Sequence, residues 1–418
     1  MRKLKLVWLI SILFVGIAKN NLFAATTQVD ALIEKLVAKG ILNRQEAIEL
    51  KAEIAEDEKI LREEGLKQNL PQWIREMKLK GDFRLRYQHE KRKGSNLNEG
   101  KSTSRDRGRF RLRLGAETKV NDQTKLHFGL ASGSDGDPRS TNQTFQDTFS
   151  KKSIWIDYVY AEYMPWQWLT LLGGRMKNPI WEPADMLWDT DINPEGIALK
   201  LNGKLNPKLS AYVNNAIFIL EEYANTSDPW MYVLQPGLKW SINDGVDLNL
   251  ATTYYGFKQV KGATLDWSTN KNTAAINGGG NFNSIHPAFE LGIKEPFSNL
   301  GLNFPYFSLF GEYIHNLDAM QSKNGYAVGF RLGHKKINDK GQWQTRYTYT
   351  LLETYAWPDV FPDSDRYSGR TGIRGHEILL AYGLSKNLSL EFDYYRSDLT
   401  STSNKTENLF QVDLNFKF

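Results

Sequence analysis

From about Met77 to the end of the chain, apolar and polar residues alternate with period two. In the last ten residues Phe410, Val412, Leu414, Phe416 and Phe418 share one parity, and Gln411, Asp413, Asn415 and Lys417 share the other. Such alternation predicts a strand with one apolar and one polar face. Met77, Leu79, Phe83, Leu85 and Tyr87 oppose Lys78, Lys80, Asp82, Arg84 and Arg86 in the same way. Phe110, Leu112 and Leu114 oppose Arg109, Arg111 and Arg113, and Leu126, Phe128 and Leu130 oppose Lys125, His127 and Gly129. Ile154, Ile156, Tyr158 and Tyr160 read as one face against Trp155, Asp157, Val159 and Ala161. Further runs of this kind lie near 168–176, 197–202, 209–219, 232–240, 246–255, 287–294, 307–313, 326–332, 343–351, 376–384 and 388–395. The pattern predicts sixteen strands, within a range of about 14 to 18.

The connections alternate in length. Tight turns are expected at 121–123, 165–167, 206–208, 243–245, 338–341 and 385–387. Long segments fall between them at 91–104, 133–151, 177–195, 258–285 and 354–373. Short turns on one rim and long loops on the other predict an all-β, transmembrane antiparallel barrel over residues 76–418. The polar face is the lumen, because an arginine at the midplane of the lipid face costs roughly 2–4 kcal/mol and Arg109, Arg111 and Arg113 share one strand. An even strand count brings both ends of the barrel to the short-turn rim.

Residues 26–75 follow another rule. Val29, Leu32, Ile33, Leu36 and Val37 recur at helical spacing, and Gly40 supplies a helix stop. Asn43 and Glu46 have capping-box spacing and open a second helix over about residues 44–62. This predicts a short periplasmic helical hairpin or stalk. Before it, Arg2, Lys3 and Lys5 precede an apolar run over residues 6–17, and Ala24 and Ala25 offer a cleavage site. The run is too short to span a bilayer as a helix, so residues 1–25 read as a secretory signal peptide.

Composition sharpens the picture at three points. Residues 1–25 carry four of the 53 basic residues and no acidic one, leaving 49 bases against 48 acids. The basic balance therefore comes from the signal and gives no reason to invoke nucleic acid. The chain has no cysteine, so an exported fold must be held without disulfides. It is 12% aromatic with a mean hydropathy of −0.50, as suits a thin apolar belt around a polar lumen.

Several stretches resemble a family of bacterial outer-membrane porins, general-porin-like sixteen-stranded barrels. They are Leu130-Ala131-Ser132-Gly133 followed by residues 137–144, then residues 187–196, residues 343–349, and Asp363-Ser364-Asp365 with Gly375-His376 after it. Leu36 to Leu42, leading to Glu46-Ala47, is similar to that family's segment before the barrel. The likeness covers nearly all of residues 27–418. It implies a passive channel, a homotrimer, and a third external loop folded into the lumen. The final strand, ending on Phe418, resembles the closing strand read by barrel-assembly machinery, with Phe410, Val412, Leu414, Phe416 and Phe418 as the signal.

The candidate site is a pore constriction. Lys80, Arg84, Arg86, Arg109, Arg111, Arg113 and Lys125 are expected to form a wet basic wall. The loop at 177–195 carries Glu182, Asp185, Asp189, Asp191 and Glu195 and is expected to face that wall. Across a wet gap of ~7–10 Å each opposed pair is worth about 1 kcal/mol or less, enough to filter and orient solutes. Trp155 and Phe310, at lumen parity, offer a stacking track for sugars. Asp189, Asp191 and Asn193, and Asp363 and Asp365, alternate as calcium ligands do but lack the glycine and distal glutamate of an EF-hand. They read as loop carboxylates, so no metal and no cofactor is expected. No nucleophile motif stands out; a hydrolase would need His376 beside Asp363 or Asp365. The expected function is an outer-membrane porin passing small hydrophilic solutes and ions. The alternatives are an envelope tether or, last, an outer-membrane hydrolase. Expected partners are outer-membrane lipid and lipopolysaccharide, the assembly machinery, and further copies of the chain. Both the helical segment and the C-terminus are expected in the periplasm.

Overall fold

The computed structural model describes residues 32–54, 70–93, 102–134, 136–274, 280–401 and 405–418. Two compact units divide the chain, Met1–Glu76 and Met77–Phe418. In the first, residues 32–38 and 44–54 are helical. Gly40 takes φ +70 after the first stretch. The second opens on a reciprocal cap: the Asn43 N–H donates to Glu46 Oε2 at 2.8 Å and the Glu46 N–H donates to Asn43 Oδ1 at 2.9 Å. The signal-like residues 1–25 and the far end of the second helix lie outside the described residues.

The second unit is a closed antiparallel barrel of sixteen strands. They are β1 Lys78–Lys93, β2 Ser102–Asn121, β3 Thr124–Ser132, β4 Ile154–Trp166, β5 Leu169–Arg175, β6 Glu195–Asn206, β7 Leu209–Ile219 and β8 Trp230–Asn243. There follow β9 Val246–Lys258, β10 Ser284–Lys294, β11 Tyr306–Asn316, β12 Asn324–Gly333, β13 Trp343–Leu352, β14 Ile373–Ser385, β15 Leu388–Leu399 and β16 Thr406–Lys417. Gln143–Thr144 adds a two-residue ladder to β2 from within a long loop. Each strand pairs with its neighbours in sequence, and β1 closes the ring on β16 from Asp82 opposite Lys417 to Arg92 opposite Glu407.

Period-two alternation builds this wall. Leu85, Tyr87, Phe128, Leu130, Phe410 and Trp240 are exposed on the outside, while Arg86, Gln88, Gln411 and Asp413 are buried inside. Trp168, Trp240, Tyr313 and Tyr394 also face outward, at places suited to a headgroup girdle. The predicted parity fails in β4. The β3–β4 register shifts between Gly129 and Leu130. This bulge leaves Asp157 and Tyr158 as consecutive buried residues and puts Tyr158 and Tyr160 on the lumen side. An extra residue in one strand inverts every assignment beyond it. Trp155 precedes the bulge and keeps its expected parity, opposite buried Ala131; its Nε1 is engaged by Gly133 O at 2.9 Å. Phe310 does point inward, but it is fully buried.

The interior is not wet throughout. In the long-loop half, residues 177–194, 259–274 and 354–372 fold inward and build an apolar core against the walls of β6–β9 and β11–β14. Trp357 sits at its centre with no exposed surface. Its ring packs on Tyr255, Phe257, Phe361 and Trp188 at centroid distances of 4.7, 5.3, 5.8 and 6.1 Å. Its Nε1 donates to Leu187 O at 2.8 Å, joining two loops. Asn272 Nδ2 donates to Trp357 O at 2.7 Å, joining the third. The expected all-polar lumen is thus confined to the β1, β2 and β14–β16 side and to the short-turn half.

Candidate functional site

The arginines stand where the β1–β2 register sets them. Arg84 lies opposite Arg111, Arg86 opposite Arg109, and Asp82 opposite Arg113. Like charges directly opposed weaken a sheet unless acids intervene. Asp82 supplies one counter-charge, accepting from Arg111 at 2.7 Å and Arg113 at 2.8 Å. Asp413, brought opposite Arg86 by barrel closure, supplies another. It accepts from Arg86 Nε and Nη2 at 2.7 Å each and from Arg84 at 3.3 Å. A paired fork of this kind fixes the guanidinium as well as neutralising it. Asp365 reaches Arg86 at 3.2 Å from the loop at 354–372. Among the described residues Arg109 forms no ion pair; it donates to Gln88 Oε1 at 3.1 Å and Ser140 Oγ at 3.3 Å.

The loop at 177–194 leaves and rejoins the wall through a pair of glycines. Gly174 and Gly196 lie opposite one another at φ +125 and +151. A Cβ on either would overlap backbone, on Val159 and Ile217 respectively. The Met176 N–H then donates to Pro194 O at 2.8 Å, closing the neck. Asp157, at the β4 bulge, holds it from the side, accepting from Lys177 Nζ at 3.1 Å and Asn193 Nδ2 at 2.7 Å.

The loop acids do not face the wall as a row across water. Asp191 touches it directly, 3.1 Å from Arg113 Nη1, and also accepts from the Thr141 N–H and Oγ1 at 3.0 Å each. Asp185 turns to Arg366 at 3.3 Å and Arg346 at 3.8 Å, and both arginines also bond Glu377. Asp189 joins two loops, accepting from the Ser364 N–H at 2.9 Å and the Asp191 N–H at 3.0 Å. Glu182 accepts from the Tyr255 hydroxyl at 2.9 Å. Glu195 is not in the lumen. It starts β6 on the same side as exposed Ile197, 61% exposed itself, and pairs with Arg175 at 2.6 Å. Strand alternation decides this, since position 195 differs by two from Ile197.

Burial and neighbours split the loop acids by charge state. Burial opposes ionisation of Asp191 and Asp185. The guanidiniums of Arg113 and Arg111 overcome it at Asp191, those of Arg366 and Arg346 at Asp185, and both carboxyls are held below their ordinary value. Burial pushes Asp189 well above its ordinary value, with Asp191 adding to the rise, and does the same to Asp363, with Asp185 adding. Burial also raises Glu182 to about 8. Burial and neighbours thus move the acids of this loop in opposite directions.

Two cavities meet at this point. A vestibule of about 810 Å³ opens toward the short-turn rim, and Lys80, Arg84, Arg111, Arg113, Lys177 and Lys335 are among its lining. A narrower chamber of about 270 Å³ lies beyond it, among Arg86, Asp185, Asp363, Asp365, Asp393 and Arg346. Arg84, Arg111, Thr190 and Glu391 line both. Lys125 stands apart, bound to Glu117 at 3.2 Å and Glu162 at 3.8 Å near the short-turn end of β3.

Five residues that sequence reasoning did not single out complete the site: Asp82, Asp413, Arg346, Arg366 and Glu377. All but Arg366 show lumen parity, but their pairing depends on register and closure, which no local pattern encodes. His376 is exposed on the outer face, 2.8 Å from the Tyr347 hydroxyl. The Asp363 and Asp365 carboxylates lie inside, so the pairing a hydrolase would need does not form.

No curated protein matches this chain. Among solved structures, the OmpF of Salmonella typhi in complex with daunomycin aligns at 13% identity and TM-score 0.48, over 82% of this chain and 97% of that one. A double mutant of the Rh. blastica porin aligns at 11% and 0.43, over 82% and 100%. The low-pH OprB of Pseudomonas putida aligns at 10% and 0.44, over 81% and 92%. A family model described as "Putative porin" matches residues 97–292 and 299–418, together most of the barrel. The chain belongs to this family of porins.

Proposed function

We propose that the protein is a passive outer-membrane diffusion channel for small hydrophilic solutes and ions, with its charged narrow between the β1–β2 arginines and the inward loop at 177–194. One observation carries this reading: the Arg113–Asp191 contact at 3.1 Å ties the loop to the basic wall beside two adjoining polar cavities. Opposite charges fixed across a narrow select permeants by charge and orient their dipoles. The basic wall favours anions on the vestibule side of the narrow. The double variant Arg111→Glu/Arg113→Glu is expected to move the reversal potential in a salt gradient toward cations. An unchanged reversal potential in planar bilayers removes these arginines from the filter; absent conductance in the parent protein removes the channel.

The short-turn rim is assigned to the periplasm, with both barrel ends there, and the outward aromatic residues of β16 to recognition by assembly machinery. Self-association, as a trimer, is supported by the outer wall near β4–β6. There the Arg175–Glu195 pair sits among exposed Ile154, Ile156, Val159 and Ile197. Charges on a lipid-facing wall are costly unless protein covers them. Cross-linking in native membranes tests this, and a purely monomeric species argues against it.

A further inference from the structure

We infer that the short-turn vestibule is a binding site for small multivalent anions, solutes carrying two or more carboxylate or phosphate groups. Eight basic side chains line it against three acidic ones. The excess is not spread evenly. At the inner end, Arg111 and Arg113 share Asp82, Lys177 is paired with Asp157, and Arg84 leans on Asp413. At the rim end stand Lys80, Lys335, Lys336 and Lys417, and among the described residues none of the four forms an ion pair. Lys335 lies 4.2 Å over the Tyr306 ring and Lys417 donates to the Ile337 carbonyl at 3.1 Å. Of the three acids, Asp82 and Asp157 are already bonded, leaving Glu391.

The fold holds the rim lysines in place. The turn at 334–342 is drawn onto the neighbouring strands: the Gly341 N–H donates to Gly383 O at 2.9 Å, and the Asn387 N–H donates to Asn338 O at 2.8 Å. A Cβ on Gly383 would overlap the Asp339 carbonyl oxygen, so the close approach needs glycine there. Inner and outer cations therefore belong to separate, fixed parts of the wall. The inner end also keeps an unused donor, the buried Nε of Arg84, which has no partner among the described residues. In water-filled space a single charge contact is weak. A monovalent anion satisfies one end of the vestibule only, whereas a solute with separated anionic groups engages both. A volume of about 810 Å³ accommodates such a solute with part of its hydration.

The inference gives the proposed channel a solute class, and so rests on that reading for its meaning, but binding is measured without conduction. Calorimetry at low ionic strength on the detergent-solubilised full chain, with citrate and inorganic pyrophosphate as separate probes, is the experiment. Saturable binding of either anion is expected, with no competition from sucrose. Lys335→Glu/Lys336→Glu is expected to weaken it by about tenfold or more, and so is Lys80→Glu on β1, outside the turn, which guards against a misfolded turn. The arginine pair Lys335→Arg/Lys336→Arg should retain affinity, and Lys340→Glu, on the same turn but outside the lining, should leave it unchanged. Absence of saturable binding of both anions overturns the site, as does equal weakening by Lys340→Glu. A protein that conducts but does not bind refutes the site alone; one that binds but does not conduct refutes the channel and leaves the site standing.

Discussion

At the scale of single residues, the site is decided by which charges find partners. Glu182 shows how far environment departs from composition. The residue counts as an acid in the sequence, yet its carboxyl lies mostly buried under Tyr255 and is raised to about 8 from an ordinary 4.5. The folded value exceeds the unfolded one, so the docked loop keeps a proton that a released loop gives up. Its contribution to docking is therefore full below about 4.5, falls as pH rises toward about 8, and levels off above that. Glu182→Gln mimics the protonated form and still accepts from Tyr255. Proteinase K digestion at pH 4.5 and pH 8.5 should cut the loop at 177–194 at similar rates in both proteins at the lower pH. At the higher pH the parent should be cut faster. A ratio that does not change with pH would show that Glu182 does not govern docking.

At the scale of elements, the strands were legible and their partners were not. The alternation of Phe110, Leu112 and Leu114 with Arg109, Arg111 and Arg113 is local, and the barrel keeps it. The same holds for the closing strand, where Gln411 and Asp413 are buried and Phe410 is exposed. The Asn43–Glu46 cap is equally local and forms as spaced. The β4 inversion has no such signal, because a bulge arises from how two strands meet. Loop geometry is less legible still. The sequence places five acids between residues 182 and 195, but Glu195 belongs to β6 and faces out, Asp189 serves another loop, and only Asp191 reaches the arginine wall. Partner choice there depends on tertiary approach over separations of 78 residues for Asp191 and 327 for Asp413. The expected water gap was an error of the same origin: charge count along a loop does not say how closely it docks.

At the scale of the whole barrel, two structures share one cylinder. The wall is held by backbone ladders that close on themselves, while the apolar core of the long-loop half is held by side chains around Trp357. These stabilise different things, so they should be separable. Trp357→Ala removes a fully buried ring that touches three other aromatic residues within 6 Å and the bond to Leu187. Truncations of this kind cost about 3–5 kcal/mol where the surroundings cannot collapse. Here that loss falls on the loops at 177–194 and 354–372, because no ladder bond of the wall runs through position 357. The variant should keep its strand content by circular dichroism and its resistance to unfolding in detergent. Its single-channel conductance should rise and become noisier as the loops loosen from the Tyr255 wall. Retained conductance with loss of barrel stability would mean the opposite division of labour: the aromatic core would be bracing the wall, and the narrow would be set by the arginine side alone.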